Sequence, residues 1–361
     1  MITELRIHAL KSIKDLTIPC KNLNIFAGTN SSGKSTILQS LLMLSQSAGS
    51  NGENVFDGEF LKLGSFEEIQ SKLCSKEDNI KIGVSFKNDT DTDIEISKDG
   101  IVNVENFESA EFKAVRKAFF NLSYKKRFYH IPFDRIGVAE TYPKNVTKTK
   151  FGLNCECALS YYDAVKKDVS PQPLDKNLIS TEDISLKTLD SQVNYWLNQI
   201  LGVKLYTSDE NPKSSYVTAT YEGPDGIQYR PMNVGSGISY IISILIVCLA
   251  SEKDSTILIE NPEIHLHPKA QSRLMDFLYM IAQSDRQLFI ETHSDHIFNA
   301  IRVGIATEQM APDNTAINFI YTKDNATQVE QIKIGKRGKI INPQIDLFDQ
   351  FDIDLDKMLG I

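Results

Sequence analysis

One short stretch constrains the fold of this chain more than any other: GTNSSGKST, from Gly28 to Thr36. It follows the apolar segment Leu23 to Ala27 and precedes a run in which Ile37, Leu41 and Leu44 recur at helical spacing. Strand, glycine loop and helix in that order make a cradle for phosphate. Glycines let the backbone curl so that its N–H groups face the anion, and the new helix turns its positive end toward it. In the pattern GxxxxGKS, Asn30, Ser31, Ser32, Gly33 and Thr36 line the cradle, Lys34 reaches the β- and γ-phosphates of a nucleotide, and Ser35 holds Mg²⁺.

A second strand is expected at Thr256 to Ile259, β-rich and apolar without alternation, as in a parallel strand buried on both faces. Such strands deliver ligands at their C-terminal ends, and there stands Glu260, a carboxylate able to hold Mg²⁺ through water. A further buried-strand pattern, Gln287 to Ile290, ends in ETHSDH and places His293 where a γ-phosphate would be sensed. Four of the six histidines (His265, His267, His293, His296) fall in this region, so structural zinc is an alternative. Its spacing lacks a cysteine or a closely spaced third ligand. A third reading makes His265 and His267 ordinary polar residues before a helix starting at Pro268.

Between these anchors lies NVGSGISY, Asn233 to Tyr240, running into the apolar helix IISILIVCLA. Small residues at a helix start offer bare N–H groups to an anion. The order of phosphate loop, long insertion, glycine signature, acidic strand end and Thr-His at the next strand end resembles the ABC-type ATPases of the RecF, SMC and OLD class. It is most similar to bacterial AAA-family ATPases of the OLD-like branch. The carriers are MITELRIHALKSIKDLTIPCKNLNIFAGTNSSGKST, IENPEIHLHPKAQSRLMDFL and FIETHSDHIFNAIR, with FDRIGVAETYP the one family-like piece of the centre.

The resemblance implies an α/β fold, a P-loop NTPase of ABC type with a mixed, mainly parallel sheet, a small antiparallel β-lobe and a mostly helical arm. The expected divisions are residues 1–104 and 231–361 for the two parts of the ATPase head and 105–230 for the arm. It further implies that Glu260 closes Walker B, that His293 is the switch histidine, and that Gly235, Ser236 and Gly237 form the signature. In this class the signature binds the nucleotide of another subunit, which implies a homodimer or higher oligomer sandwiching ATP and Mg²⁺. One position departs from the pattern. Where the family usually has the glutamate that polarises the attacking water, this chain has Asn261. An amide can orient water but cannot take its proton, so the base must be another group, with Glu263 and His293 the candidates and slow turnover the expectation.

IKIGVSF and TDIEIS, between Asn79 and Ile101, read as strands of the smaller lobe. Helical patches are expected at Ser109–Phe120 and Leu186–Ile200, and no sustained heptads predict a long coiled coil. The basic clusters Lys125–Arg127, Lys144–Lys150 and Lys333–Lys339 are either contacts for a phosphate backbone or solvated faces, the last with the look of a hairpin turn. The acidic tail Asp346–Asp356 either docks on a partner or folds back on its own domain, and folding back is the expectation because Phe348, Phe351 and Leu355 call for burial. Overall, 39 Lys and Arg against 47 Asp and Glu give no global signal for nucleic acid, though DNA remains a possible partner. Five scattered cysteines form no paired framework, and neither a signal peptide nor a bilayer-length apolar run is present, so a cytoplasmic protein is expected.

The leading functional expectation is an ATP-binding, slowly hydrolysing engine that dimerises around nucleotide and controls a separate effector or nuclease, with the resemblance pointing to anti-phage defence. From the length of the stretch after Tyr321, no Toprim nuclease of the kind many OLD-like proteins carry is expected within it, and any nuclease action is expected from a partner. The rivals are a RecF-like DNA-repair ATPase and a non-hydrolysing, ATP-locked scaffold.

Overall fold

The computed structural model describes residues 1–50, 55–58, 60–87, 91–98, 102–104, 122, 127–144, 149–170, 172–180, 187–209 and 213–360. The chain forms two compact units, one of Met1–Ser123 with Phe289–Ile361 and one of Tyr124–Leu288.

Unit 1 opens with β1 (Ile2–Leu10), β2 (Ile13–Pro19), β3 (Leu23–Gly28) and α1 (Lys34–Ser50). After α2 (Phe66–Ile69) come β4 (Ile80–Phe86), β5 (Asp91–Ile96) and β6 (Val102–Val104). An antiparallel sheet runs β2-β1-β4-β5-β6. Its strands alternate as the period of two demands: Leu5, Ile7 and Ala9 of β1 are buried, while Arg6 and His8 lie on the opposite, partly open face. This is the small β-lobe, and β4 and β5 fall on the two segments whose sequence reads as strand.

Unit 2 contains β7 (Phe128–Ile131), β8 (Tyr142–Pro143), α3 (Ala158–Lys166), α4 (Leu189–Leu201), β9 (Lys204–Ser208), β10 (Tyr216–Glu222) and β11 (Gln228–Tyr229). They are followed by α5 (Gly237–Ala250), β12 (Thr256–Glu260), α6 (Pro268–Gln283) and the first residues of β13 (Gln287–Glu291). β12 pairs in parallel with β7, and the Gln287 amide donates to Ser255 O at 2.8 Å where β13 begins. The first four residues of β12 and all five of β13 are buried, as strands covered on both faces require. A second small antiparallel sheet joins β8, β9 and β11 to β10. The helix read at Leu186–Ile200 is α4, started by a capping box of Thr188 with Ser191 and stopped by Gly202 in the left-handed region. The helical reading of Ser109–Phe120 lies outside the described residues.

Unit 1 resumes with the end of β13, then α7 (Asp295–Ala306), β14 (Thr315–Lys323), β15 (Ala326–Ile332) and α8 (Gln350–Leu359). β3 stands between β13 and β14, parallel to β14, whose outer side takes β15 antiparallel. The class is therefore α/β with a mixed, mainly parallel sheet. The hairpin read at Lys333–Lys339 forms: Ile334 bridges Ile340, and the Gly335 amide donates to Lys339 O at 2.7 Å. The tail folds back only in part. Leu347 is buried and Phe348 packs on Phe298 at 5.4 Å between ring centres, but Leu355 stays 38% exposed. The side chain of Phe351 lies outside the described residues. Among the described residues no helix is long and apolar enough to cross a membrane.

Candidate functional site

In unit 1 the loop after β3 is shaped by positions that exclude a side chain. Gly28 has φ +148°, and a Cβ there would stand 1.9 Å from the Ile320 carbonyl oxygen, so β3 can lie against β14 only with glycine at its exit. Gly33, at φ +106°, faces Thr327. The Thr327 hydroxyl donates to Ser32 O at 2.8 Å and meets Ser12 Oγ at 2.7 Å, bracing the loop from β15. Ser31 adopts φ +59°, a left-handed turn that bends the backbone into a nest. Asn30, Ser31 and Ser35 are exposed, whereas Ser32, Lys34 and Thr36 are buried.

Lys34 is 3% exposed, and its Nζ donates to the carbonyls of Gly28 at 3.0 Å and Thr29 at 2.7 Å. The ammonium is thus folded into its own loop. Ser35 Oγ donates to Glu291 Oε1 at 2.8 Å. Glu291, 5% exposed, closes β13, and His293 follows two residues later on the surface. Partial burial and the Lys34 ammonium both lower the His293 pKa below 6.5, so its imidazole is neutral at neutral pH.

Unit 2 holds the other sequence-derived candidates. Glu260 Oε1 lies 3.0 Å from His130 Nε2, and Oε2 accepts the Phe133 amide at 3.2 Å. Burial pushes the Glu260 carboxyl up, but the His130 hydrogen bond and charge, the Phe133 amide and Arg135 outweigh it, and the pKa is lowered. Asn261 follows at φ +43°, and its Oδ1 is buried with no hydrogen-bond partner among the described residues. Glu263 is partly exposed. Gly235 has open space around it, with no atom within 4 Å of an added Cβ. Ser236 stands at the N-cap position of α5 with helical backbone angles and no side-chain capping bond, and Gly237 is pressed against unit 2 backbone: a Cβ there would stand 2.5 Å from His265 O.

The structure gives places to two residues that the sequence leaves without a role. Glu291 bears the same local signal as Glu260, a carboxylate closing an otherwise apolar strand. Arg135, in the family-like segment FDRIGVAETYP, is 2% exposed and donates to four carbonyls: Tyr240 at 3.1 Å, Pro132 at 3.0 Å, Glu260 at 2.9 Å and Asn261 at 3.1 Å. It ties the exit of β12 to the first turn of α5. Nothing local in the sequence marks it, because all but one of its acceptors lie more than a hundred residues away.

The histidine alternatives also separate. His267 caps α6, its Nδ1 accepting the Lys269 amide at 3.3 Å, and the His265 ring lies 5.0 Å from that of Tyr240. Among the described residues none of His265, His267, His293 and His296 joins a three-residue group with converging ligand atoms. The described members of two basic clusters are engaged inside unit 2. Arg127 lies 3.4 Å from Glu252, Lys144 pairs with Asp209 at 2.8 Å, and Lys150 donates to Ala250 O at 2.8 Å. Lys125, Lys126 and residues 145–148 lie outside the described residues.

Among solved structures, this fold is similar to an SMC head bound to the C-terminal winged-helix domain of ScpA, with a TM-score of 0.54 at 15% identity, covering 92% of this chain and 98% of that one. The SMC head domain from Thermotoga maritima gives 0.51 at 10% identity, covering 92% and 99%. A Pyrococcus furiosus Smc head with an extended coiled coil, bound to the C-terminal domain of ScpA, gives 0.52 at 12% identity, covering 100% and 99%. At such identities the likeness concerns the fold alone. No curated protein matches by sequence. The family described as AAA ATPase domain matches residues 1–207 and 199–298, well over half of the chain. With its glycine loop, buried lysine and carboxylate-ended strands, this chain belongs to the AAA ATPase domain family.

Proposed function

We propose that the chain binds ATP with Mg²⁺, hydrolyses it slowly, and uses the bound nucleotide to associate with a second copy of itself and to control a separate effector. The observation that carries this reading is the phosphate loop of unit 1. Its lysine, serine hydroxyl and nearby carboxylate form a donor set suited to a magnesium-bound polyphosphate. Lys34 Nζ exchanges its two loop carbonyls for phosphate oxygens, and the amides of Asn30 to Thr36 supply further donors at the start of α1. Bound Mg²⁺ neutralises charge on the phosphates. Ser35 is its protein ligand in this reading, Glu291 fixes the Ser35 hydroxyl, and Glu260 keeps the Walker B role implied by the resemblance.

Asn261 supports the slow rate. Its buried Oδ1 can accept a hydrogen bond from water and so orient it, but cannot remove the proton, which must pass to Glu263, His293 or phosphate itself. The same observation favours a second reading, in which ATP is retained without turnover and the locked state is the signal. Gly235, Ser236 and Gly237 are proposed to meet the nucleotide of the second copy. The likeness to OLD-like ATPases extends the proposal to a partner nuclease in anti-phage defence. DNA binding gains no support from Arg127, Lys144 and Lys150, which are internally engaged.

The test is phosphate release and nucleotide retention by the purified chain and by Lys34→Ala. Turnover on the order of 1 s⁻¹ or below in the wild type, and none above background in the variant, is the expected result. Retained ATP with no turnover selects the scaffold. Equal nucleotide binding by both proteins rejects the site.

A further inference from the structure

We infer that the β-lobe of unit 1 carries a zinc-type divalent metal site made by His8, Cys74 and Asp78, apart from the phosphate loop and its Mg²⁺. A ring nitrogen of His8, Cys74 Sγ and a carboxylate oxygen of Asp78 all lie within 4.8 Å of one another, and all three residues are partly buried. This is the one such group among the described residues.

The surroundings hold these three side chains in place. His8 on β1 stands directly across from Asp15 on β2, and Nδ1 lies 2.6 Å from Asp15 Oδ1. A proton on Nδ1 satisfies that bond and leaves Nε2 to present a lone pair, the arrangement in which a carboxylate orients a metal-binding imidazole. The segment bearing the other two ligands is stitched to the same strand. The Lys11 amide donates to Ile69 O at 2.7 Å, the Ser71 amide to Ala9 O at 2.9 Å, and Leu10 bridges Gln70. The buried Gln70 side chain then donates to Ser75 O at 2.9 Å and Asp78 O at 2.7 Å. Asp78 Oδ2 accepts the Ser75 amide at 2.9 Å, which fixes the carboxylate.

The chemistry of the set selects the ion. One imidazole nitrogen, one thiolate and one carboxylate oxygen suit Zn²⁺, whose bonds of about 2.0–2.3 Å separate tetrahedral ligand atoms by roughly 3.5 Å. Three protein ligands leave the fourth position for water or another small donor. Burial and the charges of Asp78 and Asp15 raise the Cys74 pKa, with a Ser71 hydrogen bond and Lys14 acting the other way. The Asp78 and Asp15 carboxylates place negative charge beside the thiol, where it favours a cation, and the thiol proton leaves for solvent as the metal binds. Of the nearby cations, Lys81 is paired with Glu95 at 3.3 Å.

The experiment uses the full chain, stripped with chelator and freed of Mg²⁺, titrated with Zn²⁺ against a chromophoric competitor and separately with Co²⁺. About one equivalent of Zn²⁺ per chain is expected, with a near-ultraviolet thiolate-to-cobalt band. Cys74→Ser and His8→Gln should each remove the band and weaken Zn²⁺ binding at least about 100-fold, and Asp15→Asn should weaken it about 10- to 100-fold. Nucleotide binding by Cys74→Ser should match the wild type. A second readout needs no variant: Zn²⁺ should protect Cys74 from alkylation, read by mass spectrometry against the buried Cys20, Cys155, Cys157 and Cys248. Zinc affinity that is the same in Cys74→Ser and His8→Gln as in the wild type, or Cys74 alkylated at one rate with and without Zn²⁺, would overturn the inference.

Discussion

At the scale of single residues, Asn261 carries the sharpest consequence. Its φ of +43° lies in the left-handed region, where asparagine is one of the few side chains at ease. The residue therefore suits its backbone as well as any chemistry. Replacing it with glutamate adds a proton acceptor at the position where the resembling family has one, against a modest conformational cost. Asn261→Glu is expected to raise kcat at least about tenfold, the lower end of what a positioned base contributes being ~10². Steady-state phosphate release with a parallel melting curve checks this, and an unchanged rate in a folded variant refutes it. Arg135 shows a different kind of residue, touching no reacting atom in this reading but fixing the carbonyls of both Glu260 and Asn261.

At the scale of elements, the start of α5 sets an open position and a tightly packed one within three residues. Gly237 is needed for fit: an alanine would press on the His265 carbonyl at 2.5 Å, and backbone on that side cannot give way as a flexible side chain could. Gly237→Ala is expected to destabilise the fold by about 1–3 kcal/mol, visible as a lowered melting temperature. Gly235 is surrounded by open space, so Gly235→Asp should melt within about 0.5 kcal/mol of the wild type. Its added negative charge should nevertheless weaken any contact with a nucleotide on a second copy. A stable Gly235→Asp variant that keeps full ATP-dependent association would remove the signature role.

At the scale of the whole molecule, the proposal makes nucleotide and assembly one equilibrium. A ligand bound only by the folded, associated state stabilises that state by mass action, by about 2.7 kcal/mol at a hundred times Kd. MgATP should therefore raise both the melting temperature and the sedimentation coefficient of the wild type, while Lys34→Ala shows neither change. A melting shift without association would keep ATP binding and discard the dimer. The single tryptophan, Trp196, packs on Phe277 at 5.2 Å in unit 2, so its fluorescence follows that unit alone. Circular dichroism follows both.

The sequence by itself determined what is set by neighbours in the chain. The glycine loop and its helix, the two buried apolar strands, β4 and β5, and the helix α4 all follow from local backbone preference and hydrophobic period. Such features are contiguous, and their physics acts over a few residues. Tertiary structure decided which distant side chains meet: Glu291 against the Ser35 hydroxyl, Thr327 beneath the phosphate loop, Arg135 across four carbonyls, His8 beside Cys74 and Asp78. It also set His267 at the start of α6, where its ring accepts the Lys269 amide. These pairings arise where strands far apart in sequence share a sheet and loops return to its edge. No periodicity or spacing encodes them, because they exist only once the chain has closed on itself.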